Sequence, residues 1–278
     1  MKRDCINVGV IRIEGTNCEQ ESYDAFRRLG VNVEFVHLKQ LLGIDSDKDE
    51  KRDIFDFQCL MIPGGFSAGD YIRAGAIFAA RIKSKLQAEL KDFIFEQYPV
   101  LGVCNGFQVL IELGLLPGID NKIAVMPEAA LYINESDRFE CRPSLLKHEN
   151  NGNCIFTSQI SKGDIRVIPS AHAEGRLMFP QKVQKSIVKT LEDNDQIVFR
   201  YVDPDGEYAG YPWNPNGSID NIAGICNSEG NVFGLMPHPE RTFFQYQHPD
   251  WSRLNKVNSV GDGRAIFESV VAYLEKKM

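Results

Sequence analysis

The sequence predicts one α/β domain over residues 1–278: an open, mainly parallel sheet with helices on both faces and an antiparallel extension late in the chain. Three observations predict it. A strand, a helix and a second strand follow one another within the first 38 residues, which is the βαβ unit of a parallel sheet. Two further apolar runs, 58–62 and 100–103, lead through glycine-containing turns towards helical patterns. From residue 123 onward, short β-rich runs alternate with turns instead.

Taken in order, residues 6–13 (INVGVIRI) read as a buried strand from their β-branched content, and Glu14-Gly15-Thr16-Asn17 turns the chain. Asn17 is suited to cap a helix running to Leu29, Gly30 ends that helix, and 31–38 (VNVEFVHL) forms the second strand. Residues 45–53 (DSDKDEKRD) place eight charges of both signs in nine positions, the pattern of a solvated loop or helix face. The third strand, 58–62 (QCLMI), runs into Pro63-Gly64-Gly65; 76–96 is helical in pattern and 100–103 is a fourth strand. Later strands are expected at 165–168, 197–202, 222–226 and 232–236, and an amphipathic helix at 262–277. No repeat or low-complexity linker divides the chain.

Composition narrows the function classes. With 43% hydrophobic and 25% charged residues, the chain can bury a sizeable core, which excludes a disordered or fibrous protein. Against 38 acidic residues stand 31 basic ones, a net charge of −7, so a broad nucleic-acid surface is not expected. Seven cysteines and an N-terminus without the apolar core of a signal peptide fit a reduced, cytoplasmic protein. The stretch 99–119 is long and largely apolar, but Asn105, Gln108, Glu112 and its glycines and prolines argue for a buried strand and helix rather than a membrane span.

The sharpest chemical signal is Gly102-Val103-Cys104-Asn105-Gly106, a G-x-nucleophile-x-G pattern between an apolar strand and the apolar-periodic run 107–113. A tight strand-to-helix turn forces its central residue into strained geometry that only small neighbours two places away permit. It also sets the thiol at a helix N-terminus, where the dipole favours thiolate, and directs the Asn105 N–H to where an oxyanion would form. Read alone, the pentapeptide also fits a small core cysteine between glycines.

A thiolate needs a base, and a base needs an orienting group. In Met236-Pro237-His238-Pro239-Glu240-Arg241, the prolines favour extended or turn backbone after the 232–236 strand. In extended backbone, residues two apart point the same way, so Glu240 can reach the His238 ring. A surface turn or a metal site would use the same residues. Pro63-Gly64-Gly65-Phe66-Ser67-Ala68-Gly69-Asp70 lacks the G-K-[ST] of a phosphate loop and reads as a βα turn or as a source of a second oxyanion donor, Gly65 or Phe66. The segments around His172 and Asn214 read more readily as loops than as sites. The remaining cysteines show no metal-ligand spacing, so no metal is expected.

Together these residues resemble the class I, triad-type glutamine amidotransferases, and within them the glutaminase subunits of phosphoribosylformylglycinamidine synthase. Five segments carry the resemblance: the first strand with its turn, PGGFSAGDYIRAGAI, GVCNGFQVLIELGLLPG, AHAEGR with YPWNPNGS, and GLMPHPER. It implies the flavodoxin-like fold of that class, with Cys104 as nucleophile, His238 as base and then acid, and Glu240 as its orienter. Backbone N–H groups of Asn105 and of Gly65 or Phe66 would form the oxyanion hole, and Gln108 and Asn214 would contact substrate. The implied reaction is hydrolysis of L-glutamine to glutamate and ammonia. The ammonia would pass to a synthase subunit, PurL, which aminates formylglycinamide ribonucleotide in purine biosynthesis with a small subunit, PurS. This chain would hold no cofactor, with ATP and Mg used by the synthase partner. Ala68 stands where the family commonly has an aromatic, and 45–53 and 243–258 look longer than in compact members. Two rival readings keep the residues and change the role: a cysteine hydrolase or peptidase of the same elbow fold, and a non-catalytic glutamine-sensing subunit.

Overall fold

A computed structural model of the chain describes residues 1–44, 50–254 and 260–277. The strands are β1 (Asn7–Arg12), β2 (Asn32–His37), β3 (Cys59–Ile62), β4 (Val100–Val103), β5 (Ala130–Ile133), β6 (Glu140–His148), β7 (Ile165–His172), β8 (Glu174–Met178), β9 (Ile197–Val202), β10 (Ile222–Cys226) and β11 (Val232–Leu235). Nine of them form one sheet in the order β2-β1-β3-β4-β11-β10-β9-β6-β7, and β5 pairs with β8 separately. The first five in that order are parallel, with the 2-1-3-4-5 arrangement of a flavodoxin-like sheet and β11 in the fifth place. Beyond β11 every pairing is antiparallel. The mainly parallel sheet with its antiparallel extension therefore stands as expected.

Central strands β3, β4 and β11 are buried along their whole length, as parallel strands covered on both faces must be. The helices are α1 (Glu19–Arg27), α2 (Leu38–Leu42), α3 (Ala76–Lys85), α4 (Gln87–Phe95), α5 (Asn105–Glu112), α6 (Gln184–Asp193), α7 (Trp251–Leu254) and α8 (Arg264–Lys277). Helix α5 packs on β3, β4 and β11 and against α3, while α1 packs on β1 and β2 and against α8. No helix among the described residues is long and apolar enough to cross a membrane, and 99–119 is indeed β4 followed by the buried α5.

Several elements depart from expectation. Asn17 does not cap α1; Cys18 holds the N-cap position without a side-chain hydrogen bond. The helix expected over 76–96 breaks at Leu86, whose backbone (φ −109°, ψ 4°) ends α3 and begins α4. Strand β6 carries Pro143, opposite Pro169 of β7. Neither proline can donate to the ladder, and this half of β6 pairs with β7 alone. Most of the segment around His172 lies in β7 and β8 rather than a loop. Of the charged stretch 45–53, residues 45–49 lie outside the described residues; in the remainder, Arg52 pairs with Glu34 at 2.7 Å. Of 243–258, residues 255–258 lie outside them too, and Phe243 is built into the core against Phe267.

The sheet's curl matters most for function. Although β7 is the edge strand furthest from β2, its Pro169 carbonyl accepts the His238 N–H at 2.8 Å. The edge thus returns to the turn that follows β11.

Candidate active site

Four segments meet at one end of the parallel strands: the turns after β1, β3, β4 and β11, joined by the connection between β7 and β8. Open parallel sheets place ligands there, outside the strands' carboxyl ends. The cleft between these segments has a volume of about 140 Å³.

Cys104 caps α5 with φ 51° and ψ −108°, outside the regions that a side-chain-bearing residue ordinarily occupies. Its N–H donates to the Leu235 carbonyl at 2.8 Å, and its own carbonyl accepts the Gln108 N–H at 3.1 Å. The flanking glycines are a steric requirement. A Cβ on Gly102 would lie 2.6 Å from the Gly106 carbonyl oxygen, and one on Gly106 would lie 1.9 Å from that of Ile62. The turn therefore lifts the thiol into the cleft, where it contacts the Ala171 carbonyl at 3.7 Å.

His238 and Glu240 arrive from the β11 side. The expectation of continuous extended backbone holds only for His238 (φ −100°, ψ 91°); Pro239 begins a short 3₁₀ turn, Pro239–Thr242, and that turn carries Glu240 back to the ring. His238 Nδ1 meets Glu240 Oε1 at 2.5 Å, with both side chains buried. Burial alone would lower the imidazole pKa, but the Glu240 carboxylate and then the Cys104 sulfur outweigh it, and the value is pushed up to about 10. Nδ1–H is committed to Glu240, and Nε2 makes no conventional hydrogen bond among the described residues. A Cβ placed on Gly64 would lie 2.8 Å from His238 Cε1, 3.3 Å from Cys104 Cβ and 3.3 Å from Cys18 Sγ. The three side chains thus border one point.

The other expected site residues divide. The Phe66 N–H donates to the Gly15 carbonyl at 3.1 Å and is unavailable to an oxyanion. Neither the Gly65 N–H nor the Asn105 N–H has an acceptor among the described residues, and Asn105 opens α5, where helical N–H groups are unpaired. Gln108 lines the cleft, but its amide is engaged: Oε1 accepts from Asn105 Nδ2 at 2.9 Å, and Nε2 donates to the Glu174 carbonyl. Asn214 is not brought to the cleft. Its Nδ2 donates to the Ser218 carbonyl and to Asn221, and its Oδ1 accepts the N–H groups of Gly217 and Ser218. Its amide stabilises its own turn.

The cleft also holds Cys18, Asp70, His172, Glu174 and Arg241, to which the sequence assigns no role. All but Cys18 stand inside segments already singled out, yet nothing local shows where their side chains go. The Cys18 thiol is pushed up to about 12, mainly by burial and next by Glu240. Arg241 Nη2 contacts it at 3.2 Å and Arg241 Nε pairs with Glu21. His172 donates from Nδ1 to Asn134 Oδ1 at 3.1 Å. Burial, and then the charge on His238, pull its pKa down to about 3, so it stays neutral. No group of three or more metal-ligating side chains occurs among the described residues. A thiol at a strained turn, a buried imidazole and a buried carboxylate beside two free backbone N–H groups can perform nucleophilic acyl transfer.

Comparison with known proteins agrees with this chemistry. Residues 6–274 match the family model of the CobB/CobQ-like glutamine amidotransferase domain. The phosphoribosylformylglycinamidine synthase subunit PurQ of Archaeoglobus fulgidus is 57% identical over 278 residues, covering 99% of this chain and 100% of the relative. That of Picrophilus torridus is 47% identical over 241 residues, 86% of this chain and 88% of the relative. Among solved structures, a chain of PurLQS from Thermotoga maritima superposes with a TM-score of 0.69 at 32% identity, covering 97% of this chain and 99% of that one.

Proposed function

This chain belongs to the PurQ family of class I glutamine amidotransferases, and we propose that Cys104, His238 and Glu240 are the triad with which it hydrolyses L-glutamine to glutamate and ammonia. One observation carries the assignment: the buried His238–Glu240 pair and the strained Cys104 share the contact point above Gly64. The whole chain acts as a single glutaminase unit in this reading.

The Cys104 thiolate attacks the side-chain amide carbon of glutamine, and the carbonyl oxygen becomes an oxyanion between the Gly65 and Asn105 N–H groups. The His238 imidazolium gives its Nε2 proton to the leaving nitrogen, the C–N bond breaks, and ammonia departs from a γ-glutamyl thioester. Neutral His238 then takes a proton from water, the resulting hydroxide adds to the thioester, and collapse releases glutamate and restores thiolate and imidazolium. Glu240 holds the Nδ1–H throughout and favours the charged ring. A cleft of about 140 Å³ suits one amino-acid substrate better than a polypeptide.

Ammonia released into neutral water is mostly protonated and no longer nucleophilic, so the glutaminase needs an acceptor subunit beside it. The relatives' name and the PurLQS assembly support a complex with PurL and PurS, in which ammonia converts formylglycinamide ribonucleotide to formylglycinamidine ribonucleotide. ATP and Mg belong to the synthase subunit in this reading, and the complex is cytoplasmic. The test is labelling with a glutamine-like electrophile followed by peptide mapping, with rates measured with and without the synthase subunit. Modification confined to Cys104 and loss of hydrolysis in Cys104→Ala are expected; undiminished hydrolysis in that variant would defeat the assignment.

A further inference from the structure

We propose that Asn134, which does not line the cleft, is a positioning residue for the oxyanion hole: its side chain locks the corner between β7 and β8, and that corner holds Gln108 and, through it, Asn105. The inference rests on the glutaminase reading and adds to it a residue remote from substrate and nucleophile.

Asn134 directly follows β5 and is 2% exposed. Beside it the chain leaves the nine-stranded sheet at His172 and enters the two-stranded sheet at Glu174, with only Ala173 between. Buried backbone groups at such a corner need partners, and Asn134 supplies them. Its backbone N–H donates to the Ala173 carbonyl at 2.9 Å. Its Nδ2 donates to the His172 carbonyl at 2.7 Å and to the Arg138 carbonyl at 2.9 Å. Its Oδ1 accepts the Gly175 N–H and the His172 Nδ1–H, at 3.1 Å each. Two donors and two lone pairs are all engaged, which only an amide in this orientation can do. The His172 ring is confined as well, since a Cβ on Gly175 would lie 2.6 Å from its Nδ1.

The locked corner reaches the reacting atoms through its carbonyls. That of Ala171 contacts the Cys104 sulfur at 3.7 Å, and that of Glu174 accepts from Gln108 Nε2. Gln108 Oε1 then accepts from Asn105 Nδ2 at 2.9 Å, while Asn105 Oδ1 accepts the Ser67 N–H at 3.3 Å. The Asn105 side chain is thus held at both ends, and its backbone N–H has no acceptor among the described residues. An oxyanion donor stabilises the transition state only if it is in place before charge develops. A buried network with every member satisfied keeps one geometry. Without the Asn134 amide, the His172 carbonyl and the Gly175 N–H lose their partners, and the slack passes through Gln108 to Asn105.

The experiment measures glutamate release by the intact complex, with kcat expressed per Cys104 labelled to completion by a glutamine-like electrophile. Synthesis driven by an ammonium salt in place of glutamine is measured beside it. Asn134→Ala should lower kcat per labelled site about tenfold or more, with KM changed by less than about threefold, because the loss falls on the transition state. Ammonium-driven synthesis should be unchanged. Asn134→Asp keeps the side chain's shape and both accepting bonds, so it guards against a variant that does not fold. Having lost both donors, it should still lower kcat about threefold or more. In a Gln108→Leu background, Asn134→Ala should lower kcat by less than about threefold further, since the two residues act in one chain. Wild-type kcat per labelled site in both Asn134 variants would overturn the proposal, leaving the residue a part in folding alone. Losses that multiply with those of Gln108→Leu, or an equal loss of ammonium-driven synthesis, would overturn it too. A glutaminase reading that was itself mistaken would show separately, as activity surviving in Cys104→Ala.

Discussion

Replacing Gly64 with alanine would test the placement of His238 without touching a reactive group. The new methyl carbon would lie 2.8 Å from His238 Cε1, and ordinary contact begins near 3.4 Å, so the ring must retreat by about 0.6 Å. It has little freedom to do so. The ring is buried, its Nδ1 is held by Glu240 at 2.5 Å, and its backbone N–H is held by Pro169. Gly64 is not among the positive-φ glycines, so alanine brings no backbone strain of its own. The distances to Cys104 Cβ and Cys18 Sγ, 3.3 Å each, are tight but need only small adjustments. Since a misplacement of about 1 Å can cost a hundredfold in rate, a displacement of this size should lower kcat by about 10- to 100-fold. Overpacking should cost only about 1–3 kcal/mol of stability, which leaves the protein folded. The assay is glutamate release by the reconstituted complex, beside a thermal melt of the same variant. A folded Gly64→Ala protein with wild-type kcat would refute the placement of His238 over Cys104.

Three further outcomes follow from the same geometry. Glu240→Gln removes the main influence holding the His238 pKa at about 10. The alkaline limb of its rate profile should move to lower pH, with kcat down by about 10²–10⁴-fold, as a pH–rate series would read. Gly106→Ala should destabilise by about 3 kcal/mol or more despite alanine's helix propensity, because its Cβ would meet the Ile62 carbonyl at 1.9 Å. Calorimetry should show Tm falling by about 5–10 °C. Asn214→Ala should cost about 2 kcal/mol through the hydrogen bonds of its turn, while KM for L-glutamine stays unchanged in steady-state assays.

What could be read without coordinates was short in range. The parallel half of the sheet showed in apolar runs whose spacing admits only βαβ connections, and the Cys104 turn in glycines two places either side. Both are consequences of backbone sterics within a few residues. The same logic did not reach β6, whose Pro143 is a residue that ordinarily marks an edge or a break. At Asn214 the residues themselves read as a turn, and it is the substrate contact implied by the resemblance that the structure does not place at the cleft, because the amide closes its own turn.

Only the tertiary structure decided which residues share the cleft. Cys104 and His238 meet because β4 and β11 are neighbours in the sheet, although 134 positions separate them in the chain. Asp70 joins them from the turn after β3, the parallel neighbour of β4, and His172 and Glu174 join because the antiparallel extension curls until its edge strand touches the turn after β11. A side chain's type and its immediate neighbours state what chemistry it can do. Its partners are set by sheet order and curvature, which arise from burial summed over the whole core and leave no mark at any single position.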